Sequence, residues 1–295
     1  VDDRYALIRE LFDLPGAESD DEALDAEPQV KQGADAHQSA GLGELSMKRG
    51  EFSEAIEHFK RAVEQGRRGG DALVDLGAAY ESADMLPQAY RQYKMALAQA
   101  ESEELHIGLS ALFRRFGRLR EAAAELEATA RAHPDDPYVY FRLAEVLRTN
   151  GYRKNALEAI TKSVSLAADD SFYHYWMADL LIDMRRFEEA LDASRAAVEL
   201  SPADEHVMLL AALALWGADK RAEAVRAARL ATELVTDDNR VPTLIFWQLL
   251  RASGHNFEAD AMNESIKNAD RYDRETTLQM LSRVGLDVEQ QPHMR

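Results

Sequence analysis

Small residues return along this chain at a spacing that stacked helical hairpins explain. Ala55, Ala89, Ala122, Ala156, Ala190, Ala224 and Ala259 follow one another at steps of 34, 33, 34, 34, 34 and 35 residues. Twelve residues before each stands Gly43, Gly77, Ser110, Ala144, Ala178, Ala212 or Trp247, and seven residues after each stands Ala62, Ala96, Thr129, Ser163, Ala197, Ala231 or Ile266. Two helices approach to about 8 Å only where the side chains at their crossing are small. Three small columns in register therefore predict one close-packed helical pair per period.

The spacing of apolar residues agrees. In residues 71–82, Leu73, Leu76, Gly77 and Tyr80 share one helical face, and in residues 87–98 Ala89, Tyr93, Ala96 and Leu97 do the same. Gly50, Gly117, Gly151 and Gly254 punctuate the turns inside the pairs, while Pro134 and Pro202 mark ends of repeats. No stretch alternates apolar and polar residues long enough to predict a strand, so the expected fold class is all-α.

A helix–turn–helix period of this length with these columns resembles the tetratricopeptide repeat family. The first repeat, GLGELSMKRGEFSEAIEHFKRAVE, carries the family's Leu-Gly pair as Leu42-Gly43, its turn glycine as Gly50, the aromatic residue two further on as Phe52, and its Ala, Phe and Ala as Ala55, Phe59 and Ala62. The second matches with Leu76, Gly77, Tyr80, Ala89, Tyr93 and Ala96. Later repeats drift, with Arg185 and Asp219 in place of the turn glycine and Trp247 and Ile266 in place of small residues. The resemblance implies a right-handed α-solenoid of about seven hairpins. Its repeats span 36–69, 70–102, 103–136, 137–170, 171–204, 205–238 and 240–270 within an array at 34–270. A terminal repeat has no next neighbour and must fill its own exposed face, which accounts for Trp247 and Ile266. Residues 271–295 are then a capping helix near 272–284, with Leu278, Leu281 and Val284 as its apolar side and Gly285 as its stop, followed by a frayed end.

In this family the first helix of each repeat lines a concave groove, and the resemblance assigns the groove residues of this chain. From repeat three come Glu104, Ile107, Ala111, Arg114 and Arg115; from repeat four Tyr138, Phe141, Arg142, Glu145 and Arg148; from repeat five Phe172, Tyr175, Trp176, Asp179 and Ile182. Rings give large contact area and guanidinium forks pair with carboxylates, so this mixture suits a peptide with acidic or aromatic residues. The bland alternative is that several rings pack between helices while the arginines sit in solvent. The clamp with which some members of the family grip a C-terminal carboxylate is matched by Arg142 alone; Val74, Ala78, Gly108 and Tyr138 stand at its other places.

Charge divides the rest of the chain. Residues 1–30 hold ten acids against Arg4 and Arg9, a large part of the formal net charge of -18. Within them Tyr5, Ile8, Leu11 and Phe12 form the apolar side of a short helix running to about Leu14 and stopped by Pro15-Gly16. A helix of about twelve residues does not hold alone. It is expected to dock in the groove of its own or a neighbouring molecule, or to cap the first repeat, with residues 17–32 as a flexible acidic linker. Turns inside repeats are basic, as at Lys48-Arg49, Arg153-Lys154 and Lys220-Arg221, and turns between repeats are acidic, as at Asp135-Asp136, Asp169-Asp170 and Asp204-Glu205. Helix dipoles explain the pattern, with a docking edge as the alternative.

Catalytic and cofactor signatures are missing from the sequence. With no cysteine there is no thiolate nucleophile, disulfide or Cys-ligated metal, and no Walker loop, HExxH, GxSxG or GxGxxG occurs. The eight histidines lack metal-ligand spacing, and His106 and His174 fall at equivalent, packing positions. The acidic balance argues against DNA and anionic membranes as partners. The near-uncharged stretch 207–219 is too short to span a bilayer. The expected protein is a cytoplasmic, non-enzymatic scaffold without cofactor or metal that binds a protein or peptide partner. The alternative is a self-assembling homo-oligomer.

Overall fold

A computed structural model describes residues 30–65, 70–99, 103–235, 238–267 and 269–286. The expected docking residues Tyr5, Ile8, Leu11 and Phe12, and the expected frayed end at 289–295, lie outside the described residues. The described chain is all-α. Helix α1 (Val30–Lys48) pairs with α2 (Phe52–Glu64), α3 (Gly70–Ser82) with α4 (Leu86–Leu97), and α5 (Glu103–Arg115) with α6 (Leu119–Ala132). Next come α7 (Pro137–Thr149) with α8 (Arg153–Leu166), α9 (Ser171–Asp183) with α10 (Phe187–Leu200), and α11 (Glu205–Gly217) with α12 (Arg221–Leu234). The seventh hairpin is α13 (Val241–Ala252) against the short α14 (Asn256–Ala261) and α15 (Asn263–Ile266), and α16 (Arg271–Arg283) follows. Helix α1 starts at Val30, inside the segment expected as linker.

These helices form two compact bodies, one ending at His133 and the other beginning at Pro134. In each, successive hairpins stack as in a solenoid, and the small columns are what lets them do so. All seven alanines of the Ala55 to Ala259 column are fully buried. A β-carbon at Gly43 would stand 2.7 Å from the Phe59 ring, and one at Gly77 would stand 2.5 Å from the Tyr93 ring. Any larger residue there would push the paired helices apart. Burial, then the neighbouring Glu81 that accepts from its hydroxyl at 3.2 Å, pushes the Tyr93 pKa up.

Every hairpin turns through one residue in the left-handed region. Gly50, Gly117, Gly151 and Gly254 serve four hairpins, and Asp84, Arg185 and Asp219 adopt φ of 59°, 56° and 60° in the other three. That conformation costs a residue with a β-carbon about 1–2 kcal/mol. Arg185→Gly is therefore expected to stabilise the C-terminal body by about 1 kcal/mol, read as a higher urea midpoint at unchanged slope.

The acidic turns between hairpins act as helix caps. Asp136 accepts from the Tyr138 amide at 2.7 Å, Asp170 from the Phe172 amide at 2.9 Å, and Asp204 from the His206 amide at 2.8 Å. This is local helix chemistry of the kind that the dipole argument anticipates.

Trp247 and Ile266 are buried in the last hairpin, and the Trp247 indole donates to the Ala259 carbonyl at 3.0 Å. The closing helix differs from its expected form. Leu278 is exposed, and the buried face is Thr277, Leu281 and Val284. Its start is fixed by a capping box, in which Asp270 accepts from the Asp273 amide at 2.8 Å and Asp273 accepts from the Asp270 amide at 3.1 Å. The rest of the helix does not merely close the end of the array. It packs on α13, and its last turn reaches back to α9, two hairpins earlier.

Candidate protein-binding site

Helix α11 shows why α16 lies where it does. Its sequence, EHVMLLAALALWG, is apolar on every side, and such a helix must be covered on every side. Its partners α10 and α12 cover two faces. Leu209, Leu213 and Trp216 occupy the remaining face, at the repeat positions held by Tyr175, Asp179 and Ile182 on α9. All three are buried, in one cluster with Leu281 and Val284 from the α16 segment. The first-helix wall expected to line a concave groove is therefore closed at this end by the chain's own closing helix, which packs on α13, reaches α9 through Arg283 and shares the buried cluster of α11. The long apolar run at 207–219 was the sequence signal for this cover.

At the α9 end of the covered stretch, charge takes over from apolar packing. Arg148 of α7 reaches Asp179 at 2.6 Å and pairs with Asp183. From the other side, Arg283 of α16 reaches Asp179 at 2.6 Å, Asp183 at 2.6 Å and the Asp179 carbonyl at 2.7 Å. Each arginine thus spans both aspartates, which stand one helical turn apart on α9. Burial works against the charge of Arg148, but Asp179 and then Asp183 outweigh it and hold its pKa above the usual value. Burial, with Asp179 next, pushes the hydroxyl of neighbouring Tyr175 up to about 12.

Beyond this network the wall is open. Phe141 sits at the centre of a ring cluster, 4.9 Å from Phe172, 5.1 Å from Trp176 and 5.9 Å from Tyr138, centroid to centroid. It is only 6 % exposed, so it supports the surface from beneath. Tyr138 and Phe172 are 41 % and 44 % exposed. Arg142 donates to the Tyr138 hydroxyl at 3.1 Å and pairs with Glu145 at 3.3 Å, which fixes its guanidinium beside the rings. Arg148 lies 5.8 Å from the Trp176 ring centroid. An open cleft of about 450 Å³ follows, lined by Glu145, Arg148, Thr149, Arg153, Trp176, Asp179 and Asp183.

The structure thus brings Tyr138, Phe141, Arg142, Arg148, Tyr175 and Asp179 together on the first helices of the C-terminal body. Arg148 and Asp179 are engaged by α16 through the network. Arg114 and Arg115 belong to the N-terminal body, where Arg115 donates to the Glu81 carbonyl at 2.6 Å and pairs with Asp84. Sequence reasoning did not single out Asp183 or Arg283. His106 meets Glu125 at 3.2 Å, and His174 meets the Ala168 carbonyl at 2.9 Å, both local contacts.

Stacked hairpins with these buried columns define an α-solenoid repeat protein. Tetratricopeptide repeat models match residues 41–104, 103–146, 137–170 and 173–204, together more than half of the chain. The chain belongs to the tetratricopeptide repeat family, whose arrays are in general protein-interaction scaffolds. Similar solved structures include pilF of Pseudomonas aeruginosa, at TM-score 0.58 and 19% identity over 69% of this chain and 93% of that one. TTC0263, a TPR protein of Thermus thermophilus, follows at TM-score 0.52 and 22% identity over 61% and 98%. A chain of the APC/C Cut9-Hcn1 hetero-tetramer aligns at TM-score 0.58 and 15% identity over 75% and 44%. At these identities the likeness concerns the fold. No curated protein matches the chain. No described helix is long and apolar enough to cross a membrane.

Proposed function

We propose that the protein is a non-enzymatic adaptor of the cytoplasm that binds a peptide or helical segment of a partner on the ring and arginine surface of α7 and α9. The observation that carries this reading is the exposure of Tyr138 and Phe172 over a buried ring layer, beside the held guanidinium of Arg142. Exposed rings on a rigid base give contact area at small entropic cost, and a guanidinium beside them selects acidic or polar ligand groups. The acidic segment 1–30 has the composition of such a ligand and is proposed to compete for this surface, in its own or a neighbouring molecule.

Peptides selected from a random display library on the full chain are expected to be rich in acidic and aromatic residues. Phe172→Ala combined with Arg142→Glu should weaken them at least tenfold, measured by fluorescence anisotropy. Deleting residues 1–30 should raise their affinity. Equal binding to the double variant would refute the surface, and equal binding without residues 1–30 would remove the competing tail.

A second reading, self-assembly, is favoured by Leu42 and Leu45 of α1. They are 42 % and 43 % exposed, while their counterparts Leu76, Leu109 and Leu143, and Ala79, Leu112 and Val146, are buried in the following hairpins. The first hairpin thus presents an apolar stacking face. If this face joins molecules, light scattering should show a mass above the monomer that Leu42→Ser/Leu45→Ser lowers. Assembly through the charged turns would instead dissolve as salt is raised. A monomer under all conditions excludes both routes.

A further inference from the structure

Building on the reading that the first-helix wall takes partner segments, we propose that Asp179 and Asp183 form a guanidinium-reading site for the last turn of an amphipathic helix. The seat of that helix is the apolar face of α11 and α13, and α16 is its resident, exchangeable occupant. The partner is a helix of the same chemistry, with a small residue or threonine, a leucine four positions on, an arginine two further and a valine next. That is the register of Thr277, Leu281, Arg283 and Val284.

Three features of the geometry support exchange over permanent closure. The receptor end has a holder besides its occupant, because Arg148 spans both aspartates from α7. The guanidinium of Arg283 meets side chain and backbone together, with one Nη donating to an Asp179 carboxylate oxygen and to the Asp179 carbonyl while Nε lies 2.6 Å from Asp183. A fork of donors meets that arrangement and a lysine ammonium does not. Finally, the seat is far more apolar than its occupant. Leu209, Leu213, Trp216 and Leu244 are buried in the wall, whereas within α16 itself Thr277 and Leu281 are the buried residues and Tyr272 and Leu278 face solvent. A segment with few buried apolar side chains opens at lower cost than the core it rests on. Because α16 is tethered, its effective concentration is high, and a partner competes only when the charged latch is weakened or the partner is the better helix.

The probe is a fluorescein-labelled synthetic peptide with the sequence of residues 269–286, added to the full-length protein and read by anisotropy. Hydrogen exchange of the α16 amides is followed in parallel. In the Arg283→Ala chain the α16 amides should exchange at least tenfold faster while those of α9 and α11 stay slow, and the peptide should bind at least tenfold tighter than to the unmodified chain. A peptide carrying Arg283→Ala should lose that gain, as should an Arg283→Ala chain that also carries Asp179→Asn/Asp183→Asn. Arg283→Lys, which keeps the charge without the fork, serves the same comparison if Arg283→Ala does not fold. Unchanged protection of α16 with no gain in peptide binding makes the helix a fixed part of the core and overturns the proposal. Equal binding of peptides with and without the arginine overturns the guanidinium reading. Neither result depends on Phe172 or Arg142, so failure here and failure of the ring surface are told apart.

Discussion

Trp247→Ala is expected to lower the stability of the C-terminal body by about 3–5 kcal/mol, the range for removing a large buried aromatic side chain. The indole is fully buried at a position where every earlier hairpin has a small residue. It meets the shortened second element at α14, where it donates to the Ala259 carbonyl. Its loss also strips the Ala259 carbonyl of its donor. The guanidinium of Arg251, 5.0 Å from the ring centroid, would lose the face it stacks on. Urea unfolding should show the fall in midpoint. A change below about 1 kcal/mol would mean that the last hairpin repacks like a surface element.

Leu213→Ala carries the second large effect and decides a different matter. An exposed wall position tolerates such a change within about 0.5 kcal/mol, whereas a fully buried leucine loses about 2–5 kcal/mol. Leu213 is 0 % exposed and shares one buried cluster with Leu281 and Val284 of the α16 segment. The larger loss is therefore expected, accompanied by faster exchange of the α16 amides. The equivalent position one hairpin earlier is Asp179, a charged residue at the rim of the same cover, and two hairpins earlier it is Glu145 in the open cleft. The column passes from carboxylates to leucine where the cover begins, and a small effect at Leu213 would show that α16 does not shield it.

Contacts between neighbours in a solenoid recur at a constant spacing, so they leave a periodic mark that one sequence suffices to reveal. The buried alanines, the helical pairing, the left-handed turn residues and the large residues of the last hairpin all belong to this class, as does the concentration of rings on α7 and α9. The N-capping role of Asp136, Asp170 and Asp204 was visible only as a charge pattern, because a cap depends on backbone geometry that charge alone does not specify.

The contact of Arg283 with Asp179 spans 104 residues and occurs once, so no period announces it. Whether Phe141 faces a ligand or supports the rings above it is equally invisible in spacing, since both roles place an aromatic residue on the same helical stripe. The amino-acid sequence by itself determined which helices pair and stack, because those contacts are short in range and repeated. Only the tertiary structure decided that α16 folds back onto α13 and joins Arg283 to Asp179 and Asp183. That choice rests on one non-repeating match of apolar surface and charge between distant parts of the chain.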